Sequence, residues 1–178
     1  MLLQWSAPEY MPHSFQVSGL SGTVGHKQTG NCFDLTKQVA DGFVGMQELS
    51  KGLFLVQSEM AFKRETELYE EYPERKVFQL SFCMNGICEW DYRQKQGEHY
   101  QLSPTQCSLQ CGTFSQCVSH FGSEQPYHTL SISLEEGRFS SLTEDLEAAH
   151  LIRRDDKICT HVFSTTPEIP VSYTHLRA

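Results

Sequence analysis

No apolar run in this chain approaches the roughly 20 residues that a membrane-spanning helix needs, so a helical membrane protein is excluded. The opening stretch MLLQWSAPEYMPHSF has neither a basic n-region nor a sustained apolar h-region, so no secretory signal is expected and the cytoplasm is the expected compartment. Basic residues are scarce: 14 Lys and Arg stand against 22 Asp and Glu, for a formal net charge of -8. That balance argues against this chain by itself wrapping nucleic acid, which favours a clustered basic face. The sequence contains no G-x-S-x-G, H-E-x-x-H or P-loop pattern. Gly19 to Gly30 is glycine-rich but lacks dinucleotide spacing and a framing strand and helix. The seven cysteines are odd in number, and no export signal accompanies them, so free thiols acting as small hydrophobes are expected. No catalytic residue, cofactor or metal is expected, and the chain reads as a non-enzyme.

What is present is a series of short alternating strands, clearest from Val77 to Gln110. Asn-Gly, Gln-Gly and Ser-Pro punctuate apolar runs there, which signals antiparallel β structure. Consider the first hairpin. A two-residue Asn85-Gly86 turn would place Phe82 opposite Glu89 and Leu80 opposite Asp91, mixing apolar and acidic residues on one face. A three-residue loop, Met84-Asn85-Gly86, with Gly86 in the left-handed position, pairs Phe78, Leu80 and Phe82 with Tyr92, Trp90 and Cys88. One face is then aromatic and the other wet, as a half-buried sheet requires. This register predicts Cys83 and Cys88 on opposite faces and turns Glu89 and Asp91 to solvent. Phe78, Leu80, Phe82, Trp90 and Tyr92 become the candidate ligand-contacting residues, with an ordinary sandwich core the favoured reading for Phe78 and Leu80. Trp90 and Tyr92 carry polar atoms that need partners when buried, so they either plug the interior or line a pocket for one ligand.

At 178 residues the chain suits one domain of ordinary size. Residues 1–45 read as a loosely structured arm in which Asn31 to Ala40 fits a short helix or a strand, and residues 46–136 as the β domain. Within the latter, strands are predicted at Met46 to Leu49, Leu53 to Gln57, His99 to Leu102, Cys107 to Cys111 (ended by Gly112), Cys117 to Phe121 and Tyr127 to Leu134. The acidic run Glu65 to Glu74 reads as a solvated loop or edge. Residues 137–169 hold a helix opened by the capping box Ser141-Leu-Thr-Glu144 and a late strand from Ile158 to Phe163. Strands recurring about every ten residues indicate a sandwich or barrel.

Four phrases, LFLVQS, FQLSFCMNGICEWDY, YQLSPTQCSLQC and HTLSISLEEGRF ahead of a helix, together resemble the effector-binding N-terminal domain of AraC-family transcriptional regulators of bacteria. In the third phrase Tyr100, Leu102 and Pro104 fit the family pattern, whereas Thr105 stands where the family usually has glycine. The resemblance implies a mainly β, cupin-like jelly roll, or antiparallel β-sandwich, with one or two short C-terminal helices. It further implies a small-molecule effector bound in the interior, a possible homodimer, no membrane association, and DNA binding through helix-turn-helix units that follow such domains. Nothing after His150 resembles those units, so the chain reads as truncated before them. Residues 170–178 are similar to a peptide translated from sequencing-adaptor DNA and read as a non-native tail. Two alternatives stand beside this reading: a stand-alone cupin enzyme with an atypical metal site, and a non-catalytic β-sandwich interaction domain. Against the enzyme, the chain has eight histidines but no His-x-His pair, and His99, His120 and His128 lack a carboxylate at cupin spacing.

Overall fold

The computed structural model describes residues 2–4, 14–17, 28–29, 32–34, 40–93, 97–135, 142, 144–150 and 158–165. Twelve strands run in the order β1 (Leu2–Gln4), β2 (Ser14–Val17), β3 (Gln28–Thr29), β4 (Cys32–Asp34), β5 (Ala40–Ser50), β6 (Leu53–Phe62), β7 (Thr66–Asn85), β8 (Cys88–Tyr92), β9 (His99–Leu102), β10 (Gln106–Phe121), β11 (Tyr127–Glu135) and β12 (Ile158–Ser164). Every pairing is antiparallel. Residues 144–148 are helical. The mainly β, jelly-roll reading holds.

Two long strands organise the molecule. β7 and β10 pair along almost their whole length, with a bulge between Phe114 and Gln116. Such a bulge bends a strand and strengthens its twist, so the pair serves two sheets. Beyond it on one side lie β5, β6 and β11 against the second half of β7, with β12 against the first half of β10. On the other side lie β2 against the first half of β7, and β8 and β9 against the second half of β10. The main core sits between these sheets: Phe54, Val56, Met60 and Ile158 from the first meet Leu68, Trp90, Tyr92, Leu102 and Phe121 from the second.

Several sequence expectations change. From Thr66 on, the acidic run lies in β7, where Thr66 to Glu71 pair with β10 and Leu68 to Glu71 also pair with β2, so it is not a loop. Gly112 does not end a strand; it continues through β10 at φ 138°, so the two short strands predicted there are one. β5 starts at Ala40, inside the stretch read as a loose arm. Cys32–Asp34 is strand, not helix. The proposed tail at residues 170–178 lies outside the described residues.

The largest correction concerns the hairpin. β7 pairs with β10 and β11, and β8 with β10 and β9, so Phe78, Leu80 and Phe82 do not face Tyr92, Trp90 and Cys88. Asn85-Gly86-Ile87 is instead a corner that carries the chain from one sheet to the other. Gly86 does adopt the left-handed conformation, at φ 76°. A Cβ on it would sit 2.7 Å from the Pro126 carbonyl oxygen, and the Asn85 side-chain amide donates to that same carbonyl at 2.8 Å. The corner is therefore clasped to the β10–β11 connection, and not to its own hairpin partner.

Candidate functional site

Changing the partners of β7 exchanges its faces. Phe78 is buried in a second, smaller cluster with Leu109, Cys111 and Cys159, roofed by Leu142 and Leu146 of the helical segment. Leu80 packs against the same cluster, and Phe82, opposite Leu130 and Cys107, shares its face. None of these three looks into the sandwich. The inward residues are Gln79, Ser81 and Cys83. Cys83 is therefore buried in the main core together with Cys88, and does not lie on the opposite face from it.

The interior wall so formed is polar. Ser131, Ser81 and Ser108 are direct cross-strand partners on β11, β7 and β10. One row along, Ser133, Gln79, Gln110 and Thr160 are aligned in the same way across β11, β7, β10 and β12. Ser108 and Ser133 are almost completely inaccessible. Buried hydroxyls and amides are tolerated only when hydrogen-bonded, and much of this band satisfies itself. The Ser131 hydroxyl donates to Ser81 Oγ at 2.8 Å, Gln79 Nε2 donates to Ser81 Oγ at 3.0 Å, and the Ser133 hydroxyl donates to Gln79 Oε1 at 3.0 Å.

The facing wall is aromatic. Trp90 and Tyr92 on β8 are both buried, as the sequence reading placed them. Trp90 stacks on its cross-strand partner Tyr100 with ring centroids 5.6 Å apart, and Tyr92 meets Tyr100 edge-on at 5.7 Å. Burial pushes the Tyr92 phenol far above its ordinary range, so it stays a neutral donor at any physiological pH. The Thr160 hydroxyl and Trp90 indole lie near enough to hold down part of that rise. Neither makes a hydrogen bond of acceptable geometry, however: Trp90 Nε1, Ser108 Oγ and Thr160 Oγ1 are the buried side-chain polar atoms left without a partner among the described residues. The Tyr100 hydroxyl donates to the exposed Glu98 carboxylate.

Near the Asn85 corner, Phe62 stacks on Phe121 at 4.6 Å and Phe121 packs on Tyr127 at 5.1 Å, filling that end. Toward the other end Thr160 of the hydroxyl band lies near Tyr92 and Tyr100. Tyr100, Ser108 and Thr160 were not among the site candidates read from the sequence. The available signal was the strict alternation of Thr129, Ser131 and Ser133 with Leu130, Ile132 and Leu134, whose polar set is the buried one.

A second cluster lies outside the sandwich. Glu89 and Asp91 point outward from β8, as expected, into an open cleft of about 840 Å³ lined also by Glu65, Glu67, His99 and His120. Asp91 faces both imidazoles, with Oδ1 3.0 Å from His99 Nδ1 and Oδ2 3.1 Å from His120 Nε2. Glu89 and Glu67 stand 3.5 and 3.6 Å from the remaining ring nitrogens. Among the described residues, no group of three His, Cys, Asp or Glu side chains is arranged to hold a metal ion. Because the polar groups of this cleft engage one another, the interior, with its unmatched atoms, is the stronger candidate.

Residues 41–174 match the family described as the regulatory protein PchR N-terminal domain, which covers most of the chain. The chain belongs to that family. As a PchR-type N-terminal domain it is a regulatory module of AraC-type transcriptional regulators, and its fold agrees with one solved structure of that kind. The AraC-like transcriptional activator CuxR superposes with a TM-score of 0.52 at 8% identity, over 90% of this chain and 49% of that one. This chain thus spans about half the length of that activator. The bacterial pirin YhhW of Escherichia coli, in complex with nickel(II), gives 0.45 at 10% identity, over 80% of this chain and 55% of that one. A cupin domain of an XRE family transcriptional regulator from Enterobacter cloacae gives 0.38 at 17% identity, over 51% and 93%. No curated protein sequence matches the chain. Among the described residues, no helix is long and apolar enough to cross a membrane.

Proposed function

We propose that this PchR-type domain is a non-catalytic sensor that binds a small-molecule effector inside the jelly roll, between the hydroxyl band and the Trp90–Tyr92–Tyr100 wall. One observation carries this reading. Trp90 Nε1, Ser108 Oγ and Thr160 Oγ1 are buried without partners, and an unmatched buried polar group costs about 1–3 kcal/mol. A site that keeps three such groups is built to receive something that satisfies them. The indole N–H only donates, so the effector must offer it an acceptor. The stacked rings favour a planar or aromatic body beside it. In the intact regulator, occupancy would bias a homodimer whose helix-turn-helix units read DNA, which requires the effector to bind the two arrangements unequally.

The test is a thermal-shift and tryptophan-fluorescence screen of the chain against small aromatic and hydroxylated metabolites. A true effector raises the midpoint and perturbs Trp90 emission. Ser108→Ala and Thr160→Val then each weaken it about 3- to 10-fold, the worth of one net hydrogen bond. An effector whose affinity ignores both substitutions, or a panel that leaves the midpoint unmoved, would refute the interior site.

A further inference from the structure

The second hydrophobic cluster holds a pair of thiols that neither the effector reading nor the family match uses. Cys111 on β10 and Cys159 on β12 are direct cross-strand partners. Strand register puts their side chains on one face, and both are buried in the cluster beneath Leu142 and Leu146. Residues directly opposed in an antiparallel pair have Cα atoms about 4.5–5.5 Å apart, inside the range of about 4.4–6.8 Å that a disulfide spans. Neither is in a disulfide. Burial first, and then the neighbouring Cys159 sulfur, push the Cys111 thiol up to about 11. Among the described residues no other two cysteines are direct cross-strand partners: Cys83 is opposite Thr129, Cys88 opposite Phe121 and Leu102, Cys107 opposite Phe82 and Phe163, and Cys117 opposite Tyr92.

From this juxtaposition we infer that Cys111 and Cys159 are a redox modification site, a dithiol that hydrogen peroxide converts to an intramolecular disulfide. The step balances as follows. One thiolate attacks a peroxide oxygen, breaking the O–O bond to give a sulfenic acid and water. The second thiol then displaces that hydroxyl as water, forming the S–S bond. Two thiols lose two hydrogens and two electrons in all, and the peroxide becomes two waters. The raised Cys111 thiol makes the attack slow at neutral pH and faster in alkali, because the thiolate is the nucleophile. The consequence is local and mechanical. Thr160 follows Cys159, and Gln110 precedes Cys111 and pairs with Thr160. The bond therefore pins β12 to β10 directly behind the wall that carries two of the three unmatched polar atoms.

Formation of the bond is read without any effector, so this test can succeed or fail independently of the sensor reading. The tag-free chain is fully reduced, exposed to hydrogen peroxide at pH 9, and mapped by thiol alkylation and peptide mass spectrometry. Two of its seven thiols should disappear into one cross-linked peptide pair containing Cys111 and Cys159. The thermal midpoint should rise by about 5 °C or more, because the bond closes a long loop, and dithiothreitol should reverse both changes. Cys111→Ala and Cys159→Ala should each abolish the cross-link and the midpoint rise. The inference is overturned if other cysteines such as Cys83 and Cys88 pair instead, if oxidation stops at single sulfinic acids, or if no thiols are lost.

Discussion

Thr105 stands in the left-handed region at φ 67°, a conformation that a β-branched residue adopts only as an outlier. The turn demands it. Ser103-Pro104-Thr105-Gln106 closes with the Gln106 N–H donating to the Ser103 carbonyl at 3.1 Å, and proline second with positive φ third is the pattern of a type II turn. The Thr105 carbonyl also accepts from the Thr165 N–H at 2.7 Å, which ties the end of β12 to this turn. Thr105→Gly keeps all these backbone bonds and removes an exposed side chain. Relief of the left-handed penalty is about 1–2 kcal/mol, and the greater freedom of glycine in the unfolded chain returns about 0.5–1 kcal/mol of it. A net stabilisation of about 1 kcal/mol follows, or roughly 2–4 °C in the thermal midpoint for a domain of this size. Calorimetry of the wild type, Thr105→Gly and Thr105→Ala is the assay. Alanine retains the Cβ and should gain little. A glycine variant no more stable than wild type, or an alanine variant equally stabilised, would refute the argument that backbone strain is stored at this residue.

Other consequences can be checked alongside. Gly86→Ala meets the Pro126 carbonyl at 2.7 Å and needs a positive φ, so it should lower stability by about 2 kcal/mol, seen as a lower urea midpoint with an unchanged slope. Burial raises the Cys83 thiol from 9.0 to about 11, and Cys111 behaves alike. A group whose folded pKa is raised contributes stability that is fully present below its unfolded value and lost as pH rises through the folded one. The reduced domain should therefore weaken between pH 9 and 11, and the double variant Cys83→Ala, Cys111→Ala should show a shallower decline in pH-dependent urea unfolding. Ser108→Ala, which removes an unmatched buried hydroxyl, should leave the effector-free domain as stable as wild type or more so. A clear loss in the same urea assay would mean that the hydroxyl has a partner.

The Thr105 turn also shows why some of the architecture could be read from residues alone. Pro104, a polar turn and flanking alternation are local signals, and the chain obeys them at β9, β11 and β12. What the alternation does not carry is which side is inside. Phe78, Leu80 and Phe82 suggest a core face, but a helical segment bearing Leu142 and Leu146 covers them from outside, so both faces of this sheet are buried. Leu130 and Ile132 mislead in the same way beside Ser131 and Ser133. Trp90 and Tyr92 were legible because Glu89, Asp91, His99 and His120 line an open cleft on the outer face of their sheet, so the aromatic set must point inward.

By itself, then, the sequence determined the β class, the Ser103-Pro104 turn, the inward placement of Trp90 and Tyr92 and the family resemblance, because each rests on neighbours along the chain. The partners of β7, the inward turn of Ser81, Ser108 and Cys83, the approach of Thr160 to Tyr92, and the meeting of Cys111 with Cys159 were decided only by the tertiary structure. All of these depend on residues that lie tens of positions apart. Period-two patterning specifies the parity of a strand, and only the layer packed on each side specifies which parity is the interior.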